Sequence, residues 1–234
     1  VLNIASYVAL RQNRPVGIFS LEMSTKSLLT RLVCTESGVS MSRVNHGKSL
    51  RRDEIEALSE ASSRIYDAPL HIDDSTSLSI FEMQTRARRL KGQCPDLALL
   101  IVDYMQLMRG GGSRYDSRQQ EVSEISRSIK GIAGELDIPV IALSQLSRQV
   151  EQRRGKNEKL PRLSDLRESG AIEQDADIVA FIHRDQTPEL NTGGQHEQVE
   201  EAILSIAKQR NGETGIINLL FRGHITLFVD PARG

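Results

Sequence analysis

The feature that most constrains this chain is a repeated alternation of short apolar runs with longer stretches of helical spacing. The runs are Pro15–Leu21 (PVGIFSL), Leu70–Asp73, Leu97–Asp103 (LALLIVD), Pro139–Ser144 (PVIALS) and Asp177–His183 (DIVAFIH). Leu28–Glu36, Arg51–Tyr66, Ile80–Lys91 and Gln119–Leu136 carry the helical pattern between them. Strands apolar on both faces, separated by helices, imply parallel βαβ units, because only a sheet covered on both sides hides them. Toward the C-terminus the spacing changes. Ala202–Ala207, Ile216–Phe221 and Ile225–Val229 lie close together, with the turn pairs Asn211-Gly212 and Arg222-Gly223 between them. The predicted fold is α/β: a mostly parallel sheet flanked by helices, with antiparallel strands at the C-terminal end, in one domain over residues 1–234.

Composition narrows the function classes. At 38% hydrophobic and 26% charged residues, the chain is a folded globular protein and not a disordered one. Its longest wholly apolar stretch, Leu97–Val102, falls far short of the ~20 residues of a membrane span. No charged-then-apolar leader opens the chain, and Cys34 and Cys94 are too few for a disulfide framework or a four-ligand zinc site. A reducing cytoplasm is the expected compartment. The formal net charge of −1 argues against a uniformly basic coat for nucleic acid, though it leaves room for a local basic lining. With no Trp, five Phe and four Tyr, gripping bases on a row of rings is disfavoured. Val1–Arg11 reads as a helix already under way with no cap before it, an expectation of further chain upstream.

Ligands of open parallel sheets collect at the carboxyl ends of the strands, which makes polar residues there the first candidates. Asp103 closes LALLIVD, the pattern of a Walker B segment. A Mg²⁺ ion on nucleotide phosphates keeps most of its waters and needs a fixed carboxylate to hold them. The competing reading is a simple strand or turn cap. Glu22 follows GIFSL and suits the orienting or deprotonation of an attacking water; alternatively it only places negative charge at a helix start. Gln145 follows PVIALS, and its amide suits the sensing of a γ-phosphate or merely begins an exposed helix. Each alone is weak. Three such residues at three strand ends of one sheet point to a nucleotide.

Other motifs are weaker or misleading. Lys208 and Arg210, in Lys208-Gln209-Arg210-Asn211-Gly212, sit where a hairpin could project cations toward another subunit's phosphates, or could simply solvate a turn. Residues 148–168 hold seven basic and four acidic side chains, a local balance of +3, leading into a segment with Gly170 where backbone could approach a phosphate chain. Gly47-Lys48-Ser49 imitates the end of G-x-x-x-x-G-K-S/T, but Ser42 stands where the first glycine belongs and no buried strand leads in. His183-Arg184-Asp185 imitates a kinase loop, but Leu190 stands where that loop's Asn is expected. Three breaks, 110–117, 152–162 and 186–198, read as mobile connections.

Five strings carry a resemblance over nearly the whole chain: GIFSLEM (17–23), LLIVDYMQLM (99–108), the run from Glu121 to Arg153, SDLRESGAIEQDAD (164–177) and KQRNG (208–212). Together they resemble the RecA-like ATPase domain of DnaB-type replicative DNA helicases. The resemblance implies an ATP- and Mg²⁺-dependent helicase working as a ring homo-hexamer that moves 5′ to 3′ on single-stranded DNA, with primase and helicase-loader partners. By residue, it implies Glu22 as activator of the hydrolytic water, Asp103 as the Mg²⁺-holding carboxylate and Gln145 as γ-phosphate sensor. It implies Lys208 and Arg210 as the basic finger entering a neighbour's ATP site, and Arg167, Glu168 and Gly170 as the loop that follows DNA phosphates. The family's Walker A strand and loop should precede Val1, so the 234 residues are expected to lack them and to hydrolyse little ATP alone. The alternatives are a non-catalytic fragment that binds single-stranded DNA or assembles rings, and a RecA-like recombinase or regulator.

Overall fold

The computed structural model describes residues 1–45, 50–112, 115–147, 160–184 and 199–233. Gly47-Lys48-Ser49, the basic residues of 148–159 and the 186–198 break therefore lie outside the described residues. In chain order the elements are α1 (Leu2–Ser6, continued by a wider π turn over Tyr7–Arg11), β1 (Val16–Ser20), α2 (Thr25–Ser37), α3 (Met41–Asn45), α4 (Arg52–Asp67), β2 (Leu70–Asp73), α5 (Ile80–Gln93), β3 (Leu99–Asp103), α6 (Arg118–Leu136) and β4 (Val140–Ala142). They continue with α7 (Gly170–Asp175), β5 (Ile178–Arg184), β6 (Val199–Gln209), β7 (Gly215–Arg222) and β8 (Leu227–Val229). The chain falls into two compact units: Val1–Leu32, Ser62–Gln145 and Leu166–Ala176 in the first, the remainder in the second.

In the first unit the strands form a wholly parallel sheet in the order β2-β1-β3-β4. Its central strands are buried on both faces, as their continuous apolar sequence requires. Phe19, Leu100 and Val102 point to one face and pack on Met83 and Ala87 of α5 and on Val122, Ile125, Ile129 and Ile132 of α6. Val16, Ile18, Leu99 and Ile101 point to the other, against Ala5 and Ala9 of the first helix and Leu28 of α2. Gly17 lets the two layers pack closely at this point. A Cβ there would stand 2.6 Å from a Leu100 methyl and 2.7 Å from a Leu90 methyl, so even alanine would require those side chains to shift. Helix α5 opens with a capping box in which Ser79 and Glu82 satisfy each other's backbone N–H groups. Helix α6 is capped by Ser117, whose side chain accepts from the Gln120 N–H.

In the second unit β5, β6, β7 and β8 form an antiparallel sheet in sequence order. This places β5 differently from the sequence reading, which grouped Asp177–His183 with the parallel run. Along β5 buried and exposed residues alternate, so its apolar letters are not a buried core on both sides. The hairpin expectation holds between β6 and β7. It holds also between β7 and β8, which pair antiparallel through a 3₁₀ turn over Gly223–Ile225 before Thr226 turns left-handed, with φ 54°. A bulge between Val179 and Ala180 shifts the β5–β6 register. Among the described residues no helix is long and apolar enough to cross a membrane.

Candidate nucleotide site and cationic hairpin

Parallel register alone lines up the charged strand ends of the first unit. Ser20 pairs with Asp103 across β1 and β3, and the Leu21 N–H donates to the Asp103 carbonyl at 2.7 Å. Buried Ser20 then shapes the turn carrying Glu22: its hydroxyl donates to the Met23 carbonyl at 2.7 Å and accepts from the Met23 N–H at 3.2 Å. Glu22 is thus held, exposed, beside half-buried Asp103. On the other side of β1, Asp74 follows β2 and caps α2 by accepting from the Thr25 N–H at 2.8 Å. Asp73 takes Arg86 and Ser75 into one network, with Arg86 donating to both of its carboxylate oxygens.

The fourth strand end is built differently. β4 stops at Ala142, so Gln145 lies three residues beyond the ladder. The Leu143 N–H still donates to the Val102 carbonyl at 2.9 Å, and the Met105 N–H to the Leu143 carbonyl at 3.0 Å. Beyond that point Gln106 takes over. Its Nε2 donates to Ser144 Oγ at 2.7 Å and to the Gln145 carbonyl at 3.4 Å, and its Oε1 accepts from the Gln145 N–H at 3.2 Å. Glu22, Asp103 and Gln145 therefore stand at the ends of three adjacent strands, in the order β1-β3-β4.

The electrostatics of the row suit a cation. Burial, and after it the neighbouring Glu22 carboxylate, push Asp103 above the usual carboxylate range, against smaller opposite pulls from the Val1 amino group and Arg31. An added positive charge would relieve both costs. No cluster of three or more His, Cys, Asp or Glu able to hold a metal occurs among the described residues. The donor set thus fits a Mg²⁺ that takes most of its ligands from phosphates and water, with one protein carboxylate nearby, and does not fit an all-protein cage. Asp73 and Asp74 are already committed. For Asp73 burial is more than offset by hydrogen bonds from Arg86 and Ser75, and for Asp74 the Thr25 N–H leads, so both sit below the usual range.

In the second unit Lys208 is not at the hairpin tip. It lies within β6, half-buried, opposite Val179. Arg210 does leave the strand, and it is tied down twice: its N–H donates to the Asp177 carbonyl at 2.8 Å, and its Nη1 to Asp177 Oδ1 at 3.2 Å. Arg167 and Glu168 fall in a 3₁₀ stretch over Leu163–Ser169, whose start is fixed by buried Asp165. That carboxylate accepts from the Arg162 N–H at 2.7 Å, and the Asp165 carbonyl accepts from Ser147 N–H at 3.2 Å. Gly170 opens α7 on the first unit, where Ser126 Oγ donates to Asp175 Oδ2 at 2.7 Å and docks the helix on α6. Nothing stands within 4 Å of a Cβ built on Gly170, so packing does not demand glycine there.

Gln106 and Asp177 are residues the sequence reading passed over. Gln106 lies in DYMQLM, three residues after Asp103, and Asp177 is the last letter of SDLRESGAIEQDAD, but a hydrogen-bonding role leaves no periodicity or spacing by which to single it out.

The sequence and the fold also have known relatives. Residues 1–230 match the family model of the DnaB-like helicase C-terminal domain. The chain is 46% identical over 232 residues to the replicative DNA helicase DnaB of Geobacillus stearothermophilus, a match covering 99% of this chain and 49% of the relative. It is 44% identical over 232 residues to the replicative DNA helicase DnaC of Bacillus subtilis (strain 168), with the same shares covered. It thus spans about half the length of the curated relatives it matches. A solved ATPase domain superposes with a TM-score of 0.83 at 36% identity, over 94% of this chain and 76% of that one. A DnaB-like replicative helicase, solved together with its interactions with primase, gives a TM-score of 0.83 at 35% identity, over 94% of this chain and 51% of that one. A parallel four-stranded sheet with its helices and a following antiparallel sheet is the RecA-like arrangement of these neighbours. By sequence and by fold, the chain belongs to the DnaB-like replicative DNA helicases and carries the RecA-like C-terminal domain of that family.

Proposed function

We propose that this chain supplies the motor of a replicative helicase, coupling ATP hydrolysis to 5′-to-3′ movement along single-stranded DNA and to duplex unwinding. The observation that carries the reading is the β1–β3 register, which sets Glu22 beside Asp103 at neighbouring strand ends with the Gln145 loop on the next strand. Since one family model runs across both compact units, we take them as parts of one functional domain.

In this reading Asp103 holds the waters of a Mg²⁺ ion bound with ATP. The ion's contribution is to neutralise phosphate charge. Glu22 orients the attacking water and accepts its proton, aided by a turn that Ser20 keeps rigid. Gln145 presents its amide to the γ-phosphate. Lys208 and Arg210 place cations where charge develops at the ATP of a neighbouring subunit in a homo-hexamer. Arg167, Glu168 and Gly170 follow the DNA phosphates, and the open space around Gly170 leaves room for a backbone to approach. A primase and a loader are the partners we assign to the assembled motor, in keeping with the relative solved for its primase interactions. The cytoplasm is the compartment we assign to it.

The residues 1–234 contain no G-x-x-x-x-G-K-S/T sequence, and the backbone amides and lysine of that loop are what hold the phosphates. ATP turnover by this polypeptide should therefore be near background, and should appear when a phosphate-binding loop is joined ahead of Val1. Comparable turnover by the two forms would sink the reading of the site, as would an extended form that stays inactive with Mg²⁺, ATP and single-stranded DNA.

A further inference from the structure

We propose that Gln106 is a positioning residue that holds the Gln145 loop and ties it to the metal-side turn. The inference rests on the reading of Gln145 as a sensor of bound nucleotide. Its basis is geometric. The ladder ends at Ala142, so Ser144 and Gln145 would otherwise be free to sample many backbone conformations. Gln106 replaces the missing ladder. One primary amide donates to Ser144 Oγ and the Gln145 carbonyl and accepts from the Gln145 N–H, as a neighbouring strand residue would. Among side chains only Asn and Gln can both donate and accept in this way, and Gln has the reach.

The other side of Gln106 is equally fixed. It lies in a 3₁₀ turn over Met105–Leu107 that begins two residues after Asp103 and is pinned by buried Met105. The Arg118 guanidinium, at the start of α6, donates to the carbonyls of Gln106 and Met108. Glu121, which pairs with Arg118, also accepts from the Gly110 N–H at 2.8 Å. A displacement of the Gln145 loop is therefore passed by one side chain to the turn that follows Asp103, and from there to the start of α6 and the 110–112 backbone. Gln106 couples the two strand-end loops. It is not placed to touch the reacting atoms.

The first test uses the 234-residue chain without nucleotide. In Q106M, which keeps length and loses the amide, hydrogen exchange at the Gln145 N–H should accelerate about tenfold or more while β3 amides keep their protection. In Q106E, whose carboxylate still accepts from that N–H, much of the protection should return. Unchanged Gln145 exchange in Q106M overturns the proposal, and so does a uniform loss of protection across the sheet. The second test uses the form extended through a phosphate-binding loop. There Q145A and Q106M should each slow ATP turnover, Q106M by about tenfold, and the double variant should be no slower than Q145A. Multiplying effects would overturn the coupling. If Q145A leaves turnover unchanged, the sensor reading fails while the exchange result still decides whether Gln106 holds the loop.

Discussion

The two sheets place their functional groups by different means. In the parallel sheet Glu22 and Asp103 are set by strand register and by a core buried on both faces, so their separation is fixed by the fold. In the antiparallel sheet Ile182 and Ile217 remain 51% and 47% exposed, and Arg210, just past the end of its strand, is bonded by Asp177 through both backbone and side chain. Charge that must sit in a defined place within one chain is put on the rigid sheet. A cation proposed to act on another subunit sits at the end of a hairpin ladder, where side-chain bonds such as that from Asp177 help to set its orientation. Gln145 falls between the two cases: it starts from the parallel sheet but is held by a side chain.

If the contrast is right, truncating matched residues should separate the sheets sharply. Ile101 is 0% exposed and lies between α1, α2 and the neighbouring strands; I101A should cost about 2–5 kcal/mol, transfer and cavity terms combined. I217A, at a position half in solvent, should cost under about 1 kcal/mol. Urea unfolding of the two variants under the same conditions measures both. Equal costs would mean that the exposed face of the second sheet is covered in solution and that the contrast fails.

A smaller effect should separate two carboxylates within the parallel sheet. Asp103 has a raised pKa, so its contribution to stability is complete below the ordinary value of 3.8 and is lost as pH rises through the raised one. Asp73 has a lowered pKa, so its contribution is complete above 3.8 and is lost as pH falls through the lowered one. In EDTA at neutral pH, D103N should melt above the parent chain and D73N below it. Both differences should shrink as the pH is brought down toward and below 3.8. A D103N advantage of the same size at every pH would show that the two carboxylates do not differ in this way.

The parallel part of the fold could be read from the residues because it is a local rule applied repeatedly: LALLIVD and PVIALS state burial on both faces, and burial on both faces forces helices between strands. The strand-end rule then singled out Glu22, Asp103 and Gln145 without any structure. What could not be read depends on partners distant in sequence. DIVAFIH has the letters of a buried parallel strand, yet β5 pairs antiparallel with β6, because sheet membership is decided by the neighbour and not by the strand. Gln106 and Asp177 were invisible for the same reason, since their partners Gln145 and Arg210 are 39 and 33 residues away. Lys208 was expected at a tip that the structure builds two residues later, because the β6 ladder runs on to Gln209.

The smallest expected effect on stability is at Asp177, where the comparison is most exposed to refutation. Both side chains of the Asp177–Arg210 pair are about half exposed, and such pairs contribute about 0–1 kcal/mol. The backbone bond from the Arg210 N–H to the Asp177 carbonyl survives any change of side chain. D177A should therefore leave the unfolding midpoint nearly unmoved while removing the carboxylate bond to the guanidinium, which a ¹⁵Nε NMR signal for Arg210 would report as a shift. In the extended, assembled form the same change should slow ATP turnover several-fold, because a cation that acts on a neighbour's phosphates loses rate when its orientation is lost. R210A should slow turnover further, and adding D177A to it should change nothing, since the carboxylate would have no arginine left to orient. A large loss of stability in D177A would make the residue part of the sheet's structure. Full turnover with a shifted Arg210 signal would mean that the cation does not need the Asp177 carboxylate, and the difference drawn between the two sheets would then be one of burial only.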